Sequence, residues 1–299
     1  MDYRPEYAII QPRAEDQGFP KGGSVGFKIG SIVVHWYGLL IVIGTLLGAY
    51  VATREARRRG EDPEHIWNAL IGCIILGLLG GRLYHILSSP ATGSSGFRSY
   101  DADPLGIFRV WDGGLGFYGA FAGGVFGMWI YTRRHRLNLW RWLDIGAPGL
   151  ALGHAIGRWA NLINQELYGP PTRLPWGISI GADHRIPRYS DLTLYPVETT
   201  RFHPAFLYES LWNLGIFILL TWGARRWEHR LRDGDVFLAY AALYALGRLW
   251  IEQFFRSDAW TLGNGLAVAA LISALLALAA EMVFMLRRRA DTLVTDQQP

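Results

Sequence analysis

Three arginines, Arg82, Arg158 and Arg248, stand within or at the margins of long apolar runs. At the centre of a membrane helix each would cost about 2.5–3.5 kcal/mol, so each should face protein, water or an anion. Snorkelling to an interface or a structural ion pair explains one such residue. Three in one chain, on segments with further polar side chains, point to a shared purpose. His154, Arg158, Asn161 and Gln165 recur at i, i+4, i+7 and i+11, and Tyr240, Tyr244, Arg248 and Glu252 at i, i+4, i+8 and i+12. Each set lies on one face of a helix, and Arg248 and Glu252 are spaced to pair. Two polar stripes at similar depth imply a common cavity. Guanidinium groups match phosphate oxygens bidentately, so a phospholipid head group is the natural ligand.

Other polar residues collect at the same level. His35, Trp36 and Tyr37 fall in the first turns of the first apolar run, Tyr118 near one end of the third, and His203, Tyr208 and Glu209 at the opening of the fifth. Tryptophan and tyrosine commonly mark the membrane interface. Glu209 needs a partner, because a carboxylate this far into an apolar helix is expensive alone; an ion pair with one of the arginines and a catalytic role both explain it.

These residues must be positioned by membrane helices. Crossing a hydrocarbon core takes roughly 20 predominantly apolar residues, and seven candidate runs lie near 31–51, 64–87, 113–131, 143–163, 204–222, 235–255 and 264–286. The expected fold is an all-α integral membrane protein with seven transmembrane helices. Basic residues in short loops stay on the cytoplasmic side. Fifteen arginines cluster after the first, third, fifth and seventh runs: Arg54, Arg57, Arg58 and Arg59; Arg133, Arg134, Arg136 and Arg141; Arg225, Arg226, Arg230 and Arg232; Arg287, Arg288 and Arg289. Eleven basic residues spread through the longer connections on the other side: Arg4, Arg13, Lys21, Lys28, Arg98, Arg109, Arg173, Arg185, Arg188, Arg201 and Arg256. Alternation of the clusters requires seven spans, with the N-terminus outside and the C-terminus cytoplasmic. The expected organisation is an extracytoplasmic tail over 1–30, a membrane domain over 31–286 with outer-face insertions at about 88–110 and 164–203 forming a small head, and a cytoplasmic tail over 287–299.

The net charge of +4 is not gathered on one stripe, so no nucleic-acid partner is expected. Cys73 is the sole cysteine and sits in an apolar run, which excludes a disulfide framework and a zinc pattern and fits core packing. The N-terminal residues lack the pattern of a removable signal peptide. The glycines of the third run, from Gly113 to Gly127, should let it pack closely against neighbouring helices. A transporter would want polar groups through the full depth, whereas the fifth and seventh runs are almost purely apolar in their cytoplasmic halves. An intramembrane serine protease would need a nucleophilic serine with a partnering histidine, a context that Ser210 and Ser273 lack. Another enzyme acting on phospholipid head groups is the nearer alternative.

The stretch from His154 to Gly169, HAIGRWANLINQELYG, resembles the signature G-R-x-[GA]-N-[FL]-I-N-x-E-x-[YW]-G of the prolipoprotein diacylglyceryl transferases. Further blocks follow in that family's order: His35–Gly38, Gly80–Tyr84, Trp111–Leu115, His203–Glu209, and Gly247 through Arg256. The resemblance covers roughly residues 30 to 286. It implies a seven-span enzyme of the bacterial plasma (inner) membrane, with its active site toward the outer leaflet. The implied reaction joins the lipobox cysteine thiol of a prolipoprotein to the glyceryl carbon of phosphatidylglycerol, making a thioether and releasing glycerol phosphate. This is the first step of lipoprotein maturation, and no metal or soluble cofactor is implied. The family's essential arginines map onto Arg158 and Arg248. Asn161, Glu166 and Gly169 match signature positions, Tyr37 a tyrosine of the first span, and Glu209 and Glu252 the later glutamates. Arg82 joins the expected substrate-binding set. One position departs: where members commonly carry F-H-G-G, this chain reads Phe117-Tyr118-Gly119-Ala120. Tyrosine titrates near 10 and is a poor base at neutral pH, so Tyr118 is expected to hydrogen-bond the lipid. The base role stays open among His203, His154, a nearby carboxylate and the substrate phosphate.

Overall fold

The computed structural model describes residues 26–29, 32–87, 106, 115–257 and 266–295. The expectations for the N-terminal tail, for most of 88–110, for Arg98 and Arg109, and for the block Trp111–Gly114 lie outside those residues. A hairpin of β1 (Gly26–Ile29) and β2 (Ile32–His35) leads into α1 (Trp36–Arg58), followed by α2 (Glu64–Leu87) and α3 (Phe117–Arg134). Then come α4 (Leu139–Gly157) and the short α5 (Trp159–Ile163). A long connection holds β3 (Pro171–Thr172), two single turns of 3-10 helix and β4 (Arg201–Phe202). The chain ends with α6 (Ala205–Arg226), α7 (Asp235–Phe255) and α8 (Val268–Thr295). Among the described residues, seven helices of 18 to 28 residues thus occupy the seven apolar runs. Four of them, Trp36–Arg58, Glu64–Leu87, Ala205–Arg226 and Val268–Arg288, are long and apolar enough to cross a membrane.

Three details differ from the expected elements. The first helix starts at Trp36, because Ile32–His35 are spent pairing with Gly26–Ile29, so His35 caps α1 in an extended conformation instead of lying in its first turn. Two small antiparallel sheets accompany the helices, one in this hairpin and one joining Pro171–Thr172 to Arg201–Phe202. The fourth run is two helices, not one. The α4 ladder stops at Gly157, α5 adds a tightened turn in which Asn161 N donates to Arg158 O, and Gln165 and Leu167 have φ of 50° and 56°. Gln165 therefore leaves the expected stripe, and its side chain accepts from Gly181 N at 2.7 Å, pinning the following loop.

Backbone-to-backbone contact through glycine sets the helix pairs. On α1 and α4, Gly48 faces Gly149 and Gly44 faces Gly153; a Cβ built on Gly149 would lie 2.2 Å from Gly48 O. On α2 and α3, Gly80 faces Gly119 with a corresponding separation of 2.3 Å, and Gly123 packs on Leu76 O. Small residues permit this approach where no hydrophobic force draws helices together. The main apolar core lies between α4, α6 and α7, around Ala147, Ala151, Ile216, Leu220 and Tyr240.

The arginine-rich helix ends meet at one end of the bundle. Arg58 pairs with Glu55 and Glu228, Arg141 with Glu61, and Arg288 with Asp235. Asp144 of α4, fully buried, accepts from Gly234 N and Phe237 N at 2.8 Å each and so caps α7 from outside; Gly234 turns the chain there at φ 101°. At the other end, the connection between α5 and α6 has its own small core of Tyr168, Ile180, Tyr189 and Phe202.

The glycine contacts predict that Gly149→Val lowers the unfolding temperature of the detergent-purified protein, since overpacking against backbone costs about 1–3 kcal/mol. Gly146→Ala on the same helix, where a Cβ meets nothing within 4 Å, should be neutral or stabilising.

Candidate functional site

Helix α7 carries its expected stripe inward. Tyr240, Tyr244 and Glu252 are buried, and the Arg248 side chain is 13% exposed. The break after Gly157 sets Arg158 at the hinge between α4 and α5, where it turns toward α6. The two arginines converge on Glu209, whose side chain is 3% exposed. Arg158 Nη2 lies 2.8 Å from Glu209 Oε2, and Arg248 Nη1 3.3 Å from the same oxygen. Arg248 Nη2 also reaches Glu252 Oε2 at 2.6 Å.

A third guanidinium completes the cluster. Arg256 Nη1 is 3.5 Å from Glu252 Oε2 and 4.0 Å from Glu209 Oε1. Counting basic residues by loop assigned Arg256 to the outside connections, yet it is one turn beyond Glu252 and extends the spacing 240, 244, 248, 252 by another four residues. That periodicity was the available signal. Among the described residues three guanidiniums thus converge on two carboxylates in a low-dielectric setting, where desolvation of such groups is offset only by close counter-charges. The Nε–H of Arg248 is buried with no acceptor among the described residues.

Around this cluster the signature residues form an ordered ring. Asn161 Nδ2 donates to Glu166 Oε1 at 2.9 Å and Asn164 Nδ2 to the same oxygen at 3.2 Å. Tyr37, 41% exposed, lies within electrostatic reach of Glu166 and Arg158. His154 Nδ1 contacts Tyr240 Oη at 2.8 Å beneath Arg158. Gly169 serves packing: its N donates to His203 O at 2.8 Å, and a Cβ there would meet Phe255 O at 2.7 Å. It thus locks the long connection to the end of α7.

The remaining candidates sit at the margin. Tyr118 Oη donates to Ala269 O at 3.1 Å, lies 3.3 Å from Ser273 Oγ, and is within electrostatic reach of Arg248. His203 Nδ1 pairs with Tyr208 Oη at 2.9 Å, and Tyr208 Oη accepts from Trp176 Nε1 at 3.0 Å. Burial pushes the His203 imidazole below its ordinary value, so it is neutral at pH 7. Arg82, buried, donates to Gly106 O and so ties α2 to the insertion that follows it. Ser210 Oγ donates to Ala155 O and accepts from Trp159 Nε1, a structural clasp between α6 and α4–α5. Among the described residues no group of His, Cys, Asp and Glu is placed to hold a metal ion.

Apolar helices of membrane-crossing length beside a buried guanidinium–carboxylate cluster define a multi-pass membrane protein. Comparison with known proteins narrows the class. Residues 24–286 match the family model for prolipoprotein diacylglyceryl transferase. The phosphatidylglycerol–prolipoprotein diacylglyceryl transferase of Chloroflexus aggregans is 43% identical over 229 residues, covering 74% of this chain and 72% of that protein. The enzymes of the same name from Thermosynechococcus vestitus and Gloeobacter violaceus are 38% and 36% identical, over 82% and 92% of this chain and 85% and 97% of their own lengths. The chain belongs to the prolipoprotein diacylglyceryl transferase family, and is a transferase of lipoprotein biosynthesis.

Proposed function

We propose that this protein transfers the diacylglyceryl group of phosphatidylglycerol to the lipobox cysteine of a prolipoprotein, at the outer leaflet of the bacterial plasma membrane. The observation that carries the reading is the convergence of Arg158, Arg248 and Arg256 on Glu209 and Glu252, with the Arg248 Nε–H buried and without an acceptor among the described residues. Each guanidinium has five N–H donors, so a phosphate can be bound while one carboxylate contact is kept. In the free protein Glu209 holds the guanidiniums at the spacing that the phosphate will use.

The acyl chains stay in the leaflet and reach the cluster between helices, while the acceptor cysteine enters from the membrane plane beyond its signal helix. The thiolate sulfur attacks the glyceryl carbon, the carbon–oxygen bond to phosphate breaks, and glycerol phosphate leaves. Arg158 and Arg248 stabilise the charge that develops on the leaving phosphate. A thiol with pKa near 8.5 needs little help to ionise, and its proton can pass to a phosphate oxygen. Tyr118, held by Ala269 and Ser273, fits a hydrogen bond to the lipid and not a base. Tyr37, Asn161 and Glu166 line the approach beside Arg158, with Asn161 orienting Glu166. Glu252 positions Arg248, and Arg82 anchors the neighbouring insertion. His203, tied to Tyr208 at the outer rim, belongs to the entrance.

Seven spans, with the N-terminus outside and the arginine-rich end cytoplasmic, fit this reading: basic loops gather at the end opposite the cluster, as the positive-inside rule requires. The apolar core around Ala147, Ala151 and Leu220 lies between the two polar ends and argues against a polar pathway through the bundle.

Three outcomes are expected. Arg248→Ala should lower kcat/KM of the purified enzyme about 10²–10³-fold, the usual cost of removing a donor to a developing oxyanion; near-wild-type transfer would remove the assignment. Tyr118→Phe should keep activity within about tenfold of wild type, since loss of a general base costs about 10²–10⁴; a larger loss would restore the hydroxyl as a proton carrier. In a Cys73→Ser background, Ser190→Cys should react with a membrane-impermeant maleimide on intact cells and His229→Cys only after permeabilisation. The reverse pattern contradicts the orientation.

A further inference from the structure

Helix α6 presents a second feature at its far end, away from Glu209. Phe217, Ile218, Thr221, Trp222, Arg225 and Arg226 form two adjacent i, i+4 rows that line a groove of about 490 Å³. Its wall is apolar for the first turns, with Ile218 and Trp222 more than half exposed, and it ends on two guanidiniums. Four arginines at this end of the bundle, Arg58, Arg59, Arg141 and Arg288, are each neutralised by a carboxylate. Arg225 and Arg226 are exposed and have no ion-pair or hydrogen-bond partner among the described residues. One turn back toward the apolar wall, the Thr221 hydroxyl is buried and likewise has no hydrogen-bond partner. Beside it Trp222 packs edge-on against Trp227, ring centroids 4.9 Å apart, in the manner of an interfacial aromatic belt.

An apolar wall, then a hydroxyl, then two free cations about 6 Å further along the helix axis reproduces in order the acyl chain, ester region and phosphate of a glycerophospholipid. The volume is in the range of ligand sites, roughly 300–1,000 Å³. Because the groove faces outward from a membrane-length helix, lipid is what fills it. We infer that this groove is a second lipid site, separate from the transfer centre, which retains an anionic phospholipid: phosphate on Arg225 and Arg226, an ester oxygen on Thr221, and an acyl chain along Phe217, Ile218 and Trp222. The net charge selects the lipid, since two juxtamembrane guanidiniums favour an anionic over a zwitterionic head group by about tenfold or more. The inference rests on the membrane placement of α6 and not on the transfer chemistry.

The test uses the full chain in phosphatidylcholine nanodiscs, with the Trp222 emission isolated as the difference between the protein and its Trp222→Phe variant. Brominated phosphatidylglycerol should quench that emission at about tenfold lower mole fraction than brominated phosphatidylcholine. The preference should vanish in R225Q/R226Q while transfer activity, which depends on the opposite end of the bundle, is retained and reports correct folding. Equal quenching by the two lipids would reduce the groove to ordinary annular contact and overturn the proposal. So would a preference that survives the double variant. Relief of the quenching by millimolar inorganic phosphate would also overturn it, assigning the two arginines to a soluble anion.

Discussion

The structure depends on one buried electrostatic cluster. Glu209 and Glu252 sit almost out of solvent between Arg158, Arg248 and Arg256, which come from the α4–α5 hinge and from α7 and its end. Removing one partner of a buried pair costs about 3–5 kcal/mol, because the charge left behind has no water to turn to. The cluster therefore fixes how α4–α5, α6 and α7 meet. Within it the Arg248 Nε–H has no acceptor among the described residues, and that donor is what an anionic substrate would complete.

Everything around the cluster serves to hold it open at one end of a tightly closed bundle. Glycine contacts between α1 and α4 and between α2 and α3 bring backbones together where side chains would hold them apart. Asp144 caps α7 at the opposite end and so fixes the register of the helix that carries Arg248. The connection between α5 and α6 has its own core, and Gly169 fastens it to His203 and Phe255 beside the site. These are positioning contacts, and they explain why a signature stretch can contain residues that need never touch substrate.

Much of this is legible in the sequence. Long apolar runs, broken by a few polar residues, mark the seven long helices, and strict four-residue spacing on α7 places Tyr240, Tyr244, Arg248 and Glu252 on one inward face. The same reasoning failed on the fourth run, because periodicity assumes an unbroken helix. A stop at Gly157 and two left-handed residues, Gln165 and Leu167, send the chain elsewhere. Arg256 reads as loop because it lies at a helix end, and whether its guanidinium turns inward depends on Glu209 of another helix as well as on Glu252 one turn back. His35 differs from its expected place in the first helix for a similar reason: strand pairing with Gly26 is a tertiary fact that local hydropathy does not encode. Tyr118 was a departure from the family pattern that residue type alone could describe but not interpret.

The central claim, that the guanidinium cluster is the phosphate site, is tested most directly by a structure of the protein in lipid nanodiscs containing phosphatidylglycerol. The phosphate is expected within hydrogen-bonding distance of both Arg158 and Arg248, with at least one of their contacts to Glu209 lengthened relative to 2.8 and 3.3 Å. A lipid phosphate bound elsewhere, with both arginines still closed on Glu209 and Glu252, would contradict the account and leave the cluster a structural ion network.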